Sequence, residues 1–274
     1  MELSTDLHEY RVFHERLAQF KNWDNQAGDW EKYWTHHTPE AIIKAYANGN
    51  LGELDVLTRY LSKDAPILEA GCGAGGIVIA LQERGYPVEG IDFAENTIQQ
   101  MKAILTGLNI HTGDIYAIDA PDGYYGGYIS IGVFEHNPEG PLAGLKEARR
   151  VLARDGVALI SVPYLNPTRK KWLDELKYSS KTGKDDPIQF YQYYYSTDEF
   201  EAFLEEANFK REAVFPYAVY AGLTRDQRLG IWLKKKKFFS NRLGKRVIEW
   251  CERAPMWARR RWGHMALYVC RPAE

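Results

Sequence analysis

At 274 residues and 45% hydrophobic content, the chain can bury a full core as one large domain with elaborations, which argues against two equal domains. Its 35 cations against 37 carboxylates leave a net charge of -2, so the whole protein has no global field for or against nucleic acid, and charge arguments must be local. Three distant cysteines, Cys72, Cys251 and Cys270, fit a reducing compartment and offer no metal-ligand spacing. A cytoplasmic protein is expected, because Met1-Glu2-Leu3-Ser4-Thr5-Asp6 lacks a basic, then apolar, leader and no apolar run could span a bilayer.

In chain order, Leu7, Val12, Phe13, Leu17 and Phe20 recur among charges at mixed helical spacing, which predicts an amphipathic helix over 6–20. Trp23, Trp30, Tyr33 and Trp34 then form an aromatic segment ahead of a helix opened by Thr38-Pro39-Glu40. Packing on a hydrophobic face accounts for these aromatics as well as ligand contact does. The neighbouring His36-His37 pair reads as a solvated turn, since no partner ligands stand at metal spacing.

Helix signals at 51–62 lead to Ile67-Leu68-Glu69-Ala70-Gly71-Cys72-Gly73-Ala74-Gly75-Gly76, a strand, a tight turn and a helix start. Glycines at alternate positions permit positive φ and let a ligand approach the main chain. Gly71, Gly73 and Gly76 also satisfy the dinucleotide fingerprint, so spacing alone does not name the ligand. Further strands are expected at 87–91, ending in Asp92, at 108–111, followed by Asp114, and at 128–133, running into Glu135 and His136. Helices are expected at 95–105 and 141–152 and a fifth strand at 157–162. Such alternation calls for a mostly parallel sheet covered on both faces, with ligands at the carboxyl ends of its strands.

At these stretches the chain resembles the class I S-adenosylmethionine-dependent methyltransferases. Glu69 to Gly75 is similar to their first motif, an acidic residue followed by G-x-G-x-G. Asp92 matches the family's ribose-binding acid and Asp114 its adenine-side acid, and Glu135-His136 resembles the subgroup that includes ubiquinone-type O-methyltransferases. Residues 147–156, followed by Val157 to Pro163, are similar to the family's next helix, turn and fifth strand. One departure is Gly126-Gly127-Tyr128, where many relatives carry Phe-Asp.

The resemblance implies an α/β, Rossmann-like, seven-stranded mostly parallel sheet with helices on both faces, an N-terminal helical cap and a helical insertion before the last strand. It implies S-adenosylmethionine as cofactor, held by Glu69, Gly71, Cys72, Gly73, Gly75, Asp92, Phe93, Asp114, Ile115 and Gly132, with Tyr33 or Trp34 folding over it. The expected organisation is an N-terminal helical and aromatic cap at 1–50, a core at 51–217 carrying a lid insertion at 164–195, a basic insertion at 218–262 and a final core strand at 263–274.

The insertion at 164–195 carries Arg169-Lys170-Lys171-Trp172 and Phe190-Tyr191-Gln192-Tyr193-Tyr194-Tyr195, readable as a substrate lid or as a strand packed on the core. Ser196-Thr197-Asp198-Glu199 fits a capping box opening a helix through Ala207, before a sixth strand at 210–217. Between that strand and the last, expected at 264–270, cations and tryptophans interleave. They suit a solvated helical cap, a peripheral contact with an anionic membrane through 225–262, or phosphates.

The resemblance implies methyl transfer to an oxygen, or with less support a nitrogen or carbon, of a small molecule or a glycan or lipid precursor. His136 is the best-placed histidine for a general base, with loop-stabilising hydrogen bonding as its competing role. RNA methylation is disfavoured by Phe134-Glu135-His136-Asn137-Pro138, which differs from the Asn/Asp-Pro-Pro-aromatic motif of nucleic-acid amino methylases. A dinucleotide oxidoreductase and a non-catalytic S-adenosylmethionine-binding protein also compete with methyl transfer as readings of the glycine turn.

Overall fold

The computed structural model describes residues 9–21, 27–35, 53–177, 189–226 and 228–273. Strands β1 (Glu9–Phe13) and β2 (Arg16–Lys21) precede helix α1 (Ala27–Thr35) and helix α2 (Leu54–Tyr60). Strand and helix then alternate through β3 (Ile67–Ala70), α3 (Gly76–Gln82), β4 (Val88–Asp92), α4 (Glu95–Ile104), β5 (Ile110–Thr112), β6 (Tyr125–Ile131), α5 (Leu142–Val151) and β7 (Leu152–Pro163). After α6 (Pro167–Lys177), β8 (Gln189–Tyr194), α7 (Thr197–Glu206) and β9 (Phe209–Tyr217) come four helices: α8 (Val219–Asp226), α9 (Arg228–Lys235), α10 (Arg242–Glu252) and α11 (Met256–Trp262). Strand β10 (Met265–Pro272) closes the chain.

Seven strands form one mostly parallel sheet in the order β5-β4-β3-β6-β7-β10-β9. The order steps outward from β3 in both directions, so the switch point lies between β3 and β6. Parallel strands covered on both faces bury side chains on each side, and β3 is buried at all four positions, Glu69 included. Helix α3 buries every residue from Gly76 to Leu81, and each large aliphatic side chain so enclosed contributes about 1.5–3 kcal/mol. The Gly126-Gly127 pair also has a packing reason: a Cβ at Gly126 would stand 2.5 Å from that of Ala65.

The described residues divide into two compact units, one drawn from 25–161, 201–213 and 268–274, the other from 1–24, 162–200 and 214–267. In the second unit, β1, β2 and β8 form a three-stranded sheet with β2 in the centre. The helix expected over 6–20 is therefore a β-hairpin, with Phe13 paired to Arg16 across a two-residue turn. His14 and Glu15 both take positive φ, 46° and 63°, as a tight hairpin turn demands. Nothing in a His-Glu dipeptide marks that turn, and the alternating aromatic and β-branched residues Tyr10 and Val12 favour a strand. Strand β8 pairs with β2 through Tyr194↔Leu17 and Tyr193↔Ala18, and Tyr193, Tyr194 and Tyr195 are buried. Residues 189–194 of this tyrosine run are thus the edge strand of the three-stranded sheet. Ser196 accepts from the Glu199 amide at 3.2 Å, the first half of the expected capping box. The predicted helix at Thr38-Pro39-Glu40, the His36-His37 turn and Trp23 lie outside the described residues.

The same unit carries a buried polar cluster. Arg169 is wholly buried, with its Nε 3.1 Å from Asp226 Oδ2, and it donates to the Tyr164 and His264 carbonyls at 2.7 and 2.9 Å. Asn166 Nδ2 donates to Asp226 Oδ2 at 2.9 Å, and Arg169 also meets His264 Nδ1. Burial, and then the charges of Arg169 and Arg225, hold the His264 imidazole well below its usual pKa, so it is neutral.

Candidate active site

The carboxyl ends of four parallel strands come level. Ala70 pairs with Ile91, Asp92 with Thr112, and Glu69 with Ile129. Chain turns leaving these ends therefore share one rim of the sheet.

The turn after β3 is tied to β4. The amides of Gly71 and Cys72 both donate to the Ile91 carbonyl, at 2.8 and 2.9 Å, and the Gly73 amide donates to Asp92 Oδ2 at 2.8 Å. Three amides of the glycine turn are thus spent within the protein. What Gly71 and Gly73 supply is room and positive φ, at 79° and 52°. A Cβ at Gly71 would stand 2.5 Å from Val133 Cγ2, and one at Gly73 would stand 2.2 Å from Trp34 Cζ2. Gly75 is the residue immediately before α3. The Cys72 side chain is buried and packs on Gly90, where a Cβ would lie 2.8 Å from its Sγ, so Cys72 faces the sheet.

Asp92 uses its other oxygen to accept from the Ala94 amide at 2.9 Å, starting α4. The Phe93 amide also reaches this carboxylate, and with about four acceptor sites the group can still take a hydroxyl donor. Burial raises the Asp92 carboxyl, and the amides of Ala94 and Gly73 oppose that rise. Glu69 is buried, its carboxyl pushed well up by desolvation, and its Oε2 has no hydrogen-bond partner. Phe93 is exposed beside Asp92. Beyond β5, Asp114 accepts from the Tyr116 amide at 2.8 Å, with Ile115 between them. Gly132 ends β6 with its amide donating to the Ser161 carbonyl at 3.0 Å.

Residues 134–136 form one 3-10 turn after β6. Glu135 and Phe134 are buried, while the His136 side chain is 13% exposed with Nε2 3.8 Å from Glu135 Oε1. Burial pushes the Glu135 carboxyl up to about 8.

Helix α1 links the two halves of this rim. Trp30, Tyr33 and Trp34 share one helical face by their i, i+3, i+4 spacing. Trp34 packs on Gly73, Tyr33 meets Trp34 edge-on at 5.0 Å, and Trp30 meets the His136 ring edge-on at 4.9 Å. Glu31 Oε1 accepts from the Asn96 amide at 3.3 Å, fixing α1 to the first turn of α4. Sequence reasoning misses the contact between Trp30 and His136, although the spacing of Trp30 from Tyr33 and Trp34 carries the signal. Val133, beneath Gly71, has no sequence signal.

This rim fits an adenosyl cofactor with an amino-acid end. It offers a turn where a Cβ cannot stand, a buried carboxylate with open lone pairs at Asp92, and an orphaned acidic oxygen at Glu69 suited to an ammonium group.

Residues 34–214, about two thirds of the chain, match the methyltransferase domain family. A curated relative from Mycolicibacterium smegmatis, named a probable S-adenosylmethionine-dependent methyltransferase, is 28% identical over 166 residues, covering 60% of each protein. The chain thus spans about 60% of the length of that relative. Among solved structures, a protein from Pyrococcus horikoshii aligns with TM-score 0.56 at 18% identity, over 88% of this chain and 98% of its own. A chain from the complex of the Haloferax volcanii Trm112 methyltransferase activator with a methyltransferase aligns with TM-score 0.57 at 15% identity, over 90% and 98%. The geranyl diphosphate C-methyltransferase of Streptomyces coelicolor, solved with S-adenosyl-L-homocysteine, aligns with TM-score 0.51 at 14% identity, over 81% and 77%. At such identities the structural likeness is one of fold. By its matched domain and its sheet order, the chain belongs to the class I S-adenosylmethionine-dependent methyltransferases.

Proposed function

We propose that this domain transfers a methyl group from S-adenosylmethionine to an oxygen of a small molecule or of a glycan or lipid precursor, with His136 as general base. The observation that carries the reading is the aromatic bridge of α1, which joins the glycine turn at Gly73 to His136 through Trp34, Tyr33 and Trp30. Gly73 and His136 are thereby parts of one packed layer, which supports reading them as cofactor turn and base.

Asp92 would accept the ribose hydroxyls, Glu69 would face the ammonium end, and Phe93, Asp114 and Ile115 would border the adenine. When bound, S-adenosylmethionine supplies an electrophilic methyl carried on a sulfonium. The protein's part is to hold an acceptor oxygen in line with that methyl and to exclude water. His136 would take the acceptor's hydroxyl proton at Nε2 as the oxygen attacks, and Trp30 against its ring restricts the imidazole's orientation. Glu135, largely protonated at neutral pH by its burial, places no full negative charge beside that imidazole.

The test is transfer of labelled methyl to extracts separated into soluble metabolites, lipid and glycan material, and RNA, with Asp92→Ala as control. Label in either of the first two fractions, abolished by Asp92→Ala, supports the reading. Label confined to RNA overturns the acceptor class, and cofactor binding without label in any fraction favours a non-catalytic role.

A further inference from the structure

Thirteen of the chain's cations fall between Arg225 and Arg261, against the carboxylates of Asp226, Glu249 and Glu252. This stretch carries a surplus of ten positive charges, and the remainder of the chain is left with a net -12. The charge balance that looks neutral over the whole protein is strongly divided.

Helices α10 and α11 each bury only a narrow arc. Cys251 and Ala258, with Ala254 between the helices, join Val219 of α8 in one small apolar cluster. At 100° per residue, Leu243, Arg246 and Trp250 form a single ridge on α10 beside that buried arc. Leu243 is 61% exposed and Trp250 47%, so this apolar ridge is left uncovered. On α11, Trp257 is 62% exposed and has Arg260 and Arg261 as its i+3 and i+4 neighbours. The corner between the helices is pinned by Arg259, which donates to the Ala254 carbonyl at 2.7 Å and the Glu252 carbonyl at 3.1 Å. The ridges are thus preformed.

A merely solvated face has no use for tryptophan and leucine at this exposure. A protein-docking face is depleted in lysine, whereas Lys234 to Lys237 stand directly upstream. An anionic bilayer meets both requirements at once: lipid phosphates for the cations, and the headgroup level for amphipathic rings and aliphatic tips. None of the helices among the described residues is long and apolar enough to cross a membrane, so the contact is peripheral.

We propose that α10 and α11 dock the protein on an anionic phospholipid surface, with Leu243, Trp250 and Trp257 inserted at headgroup level and Arg246, Arg260 and Arg261 on the lipid phosphates. The docking is independent of which acceptor the enzyme uses.

The experiment is co-sedimentation of the full chain with vesicles of phosphatidylcholine alone, or with about 30% phosphatidylglycerol, near physiological ionic strength. Sedimentation only with the anionic vesicles, with a blue shift of tryptophan emission, is the expected result. R260Q/R261Q should lower partitioning about 25-fold, roughly fivefold per charge. W250S/W257S should lower it about tenfold and remove the blue shift. Unchanged far-UV circular dichroism and S-adenosylhomocysteine binding keep both variants interpretable as folded protein. Partitioning independent of lipid charge, variants that sediment like the parent, or binding to a single-stranded RNA oligomer without vesicle binding would each overturn the proposal.

Discussion

The indole of Trp34 lies so close on the backbone of Gly73 that a Cβ at that glycine would stand 2.2 Å from Cζ2 and 2.6 Å from Cε2. Gly73 also holds φ at 52°, where an L side chain is strained. Gly73→Ala therefore faces two separable costs. It should destabilise the protein by about 2–4 kcal/mol in urea unfolding, whereas in a Trp34→Ala background the same glycine substitution should cost only about 1 kcal/mol of backbone strain. Strict additivity of the two substitutions would show that the ring and the glycine do not touch.

Glu135 sets a pH dependence of stability. Its folded pKa is raised by burial to about 8 from an ordinary 4.5, so the folded chain keeps a proton that the unfolded chain releases. Stability must then fall as pH rises through the window between those values, and level off above it. Glu135→Gln removes this component, and the stability difference between variant and parent should grow in the variant's favour from pH 5 to pH 8. A difference that stays flat across this window would mean that Glu135 ionises freely in the fold.

The Arg169–Asp226 pair should behave as a buried ion pair in which one partner alone is a liability. Asp226→Ala leaves a wholly buried guanidinium without its carboxylate and should cost about 3–5 kcal/mol, whereas Arg169→Met with Asp226→Leu should cost far less. Chemical unfolding of Asp226→Leu, Arg169→Met and the double variant, beside the parent, closes the cycle. Equal losses in the single and double variants would assign the cost to packing and not to the stranded charge.

Much of the sheet is legible in the sequence, because buried parallel strands such as Ile67–Ala70 and Val157–Val162 are short apolar runs, and polar residues mark their carboxyl ends. Asp92 stands out for the same reason, as the carboxylate that closes β4, although its amide partners at Gly73 and Ala94 show only in the structure. Three features are hidden for different physical causes. The hairpin turn at His14-Glu15 relies on positive φ in residues that do not advertise it. The cluster of Arg169, Asp226 and His264 has no local signal, because its members stand 57 and 95 residues apart. Cys72 stands among the cofactor residues by its place in the motif, yet its side chain turns onto Gly90, which local spacing does not reveal. The face shared by Trp30, Tyr33 and Trp34 is the reverse case: the periodicity is visible, and only its contact with His136 requires coordinates.

Base catalysis by His136 is most directly tested by measuring, on His136→Ala and the parent, both the rate of labelled methyl transfer and the affinity for S-adenosylhomocysteine. A base that touches only the acceptor proton predicts a rate lowered about 10²- to 10⁴-fold with cofactor affinity kept within about twofold. Parallel losses of rate and affinity would contradict it and return His136 to a role in holding the loop after β6.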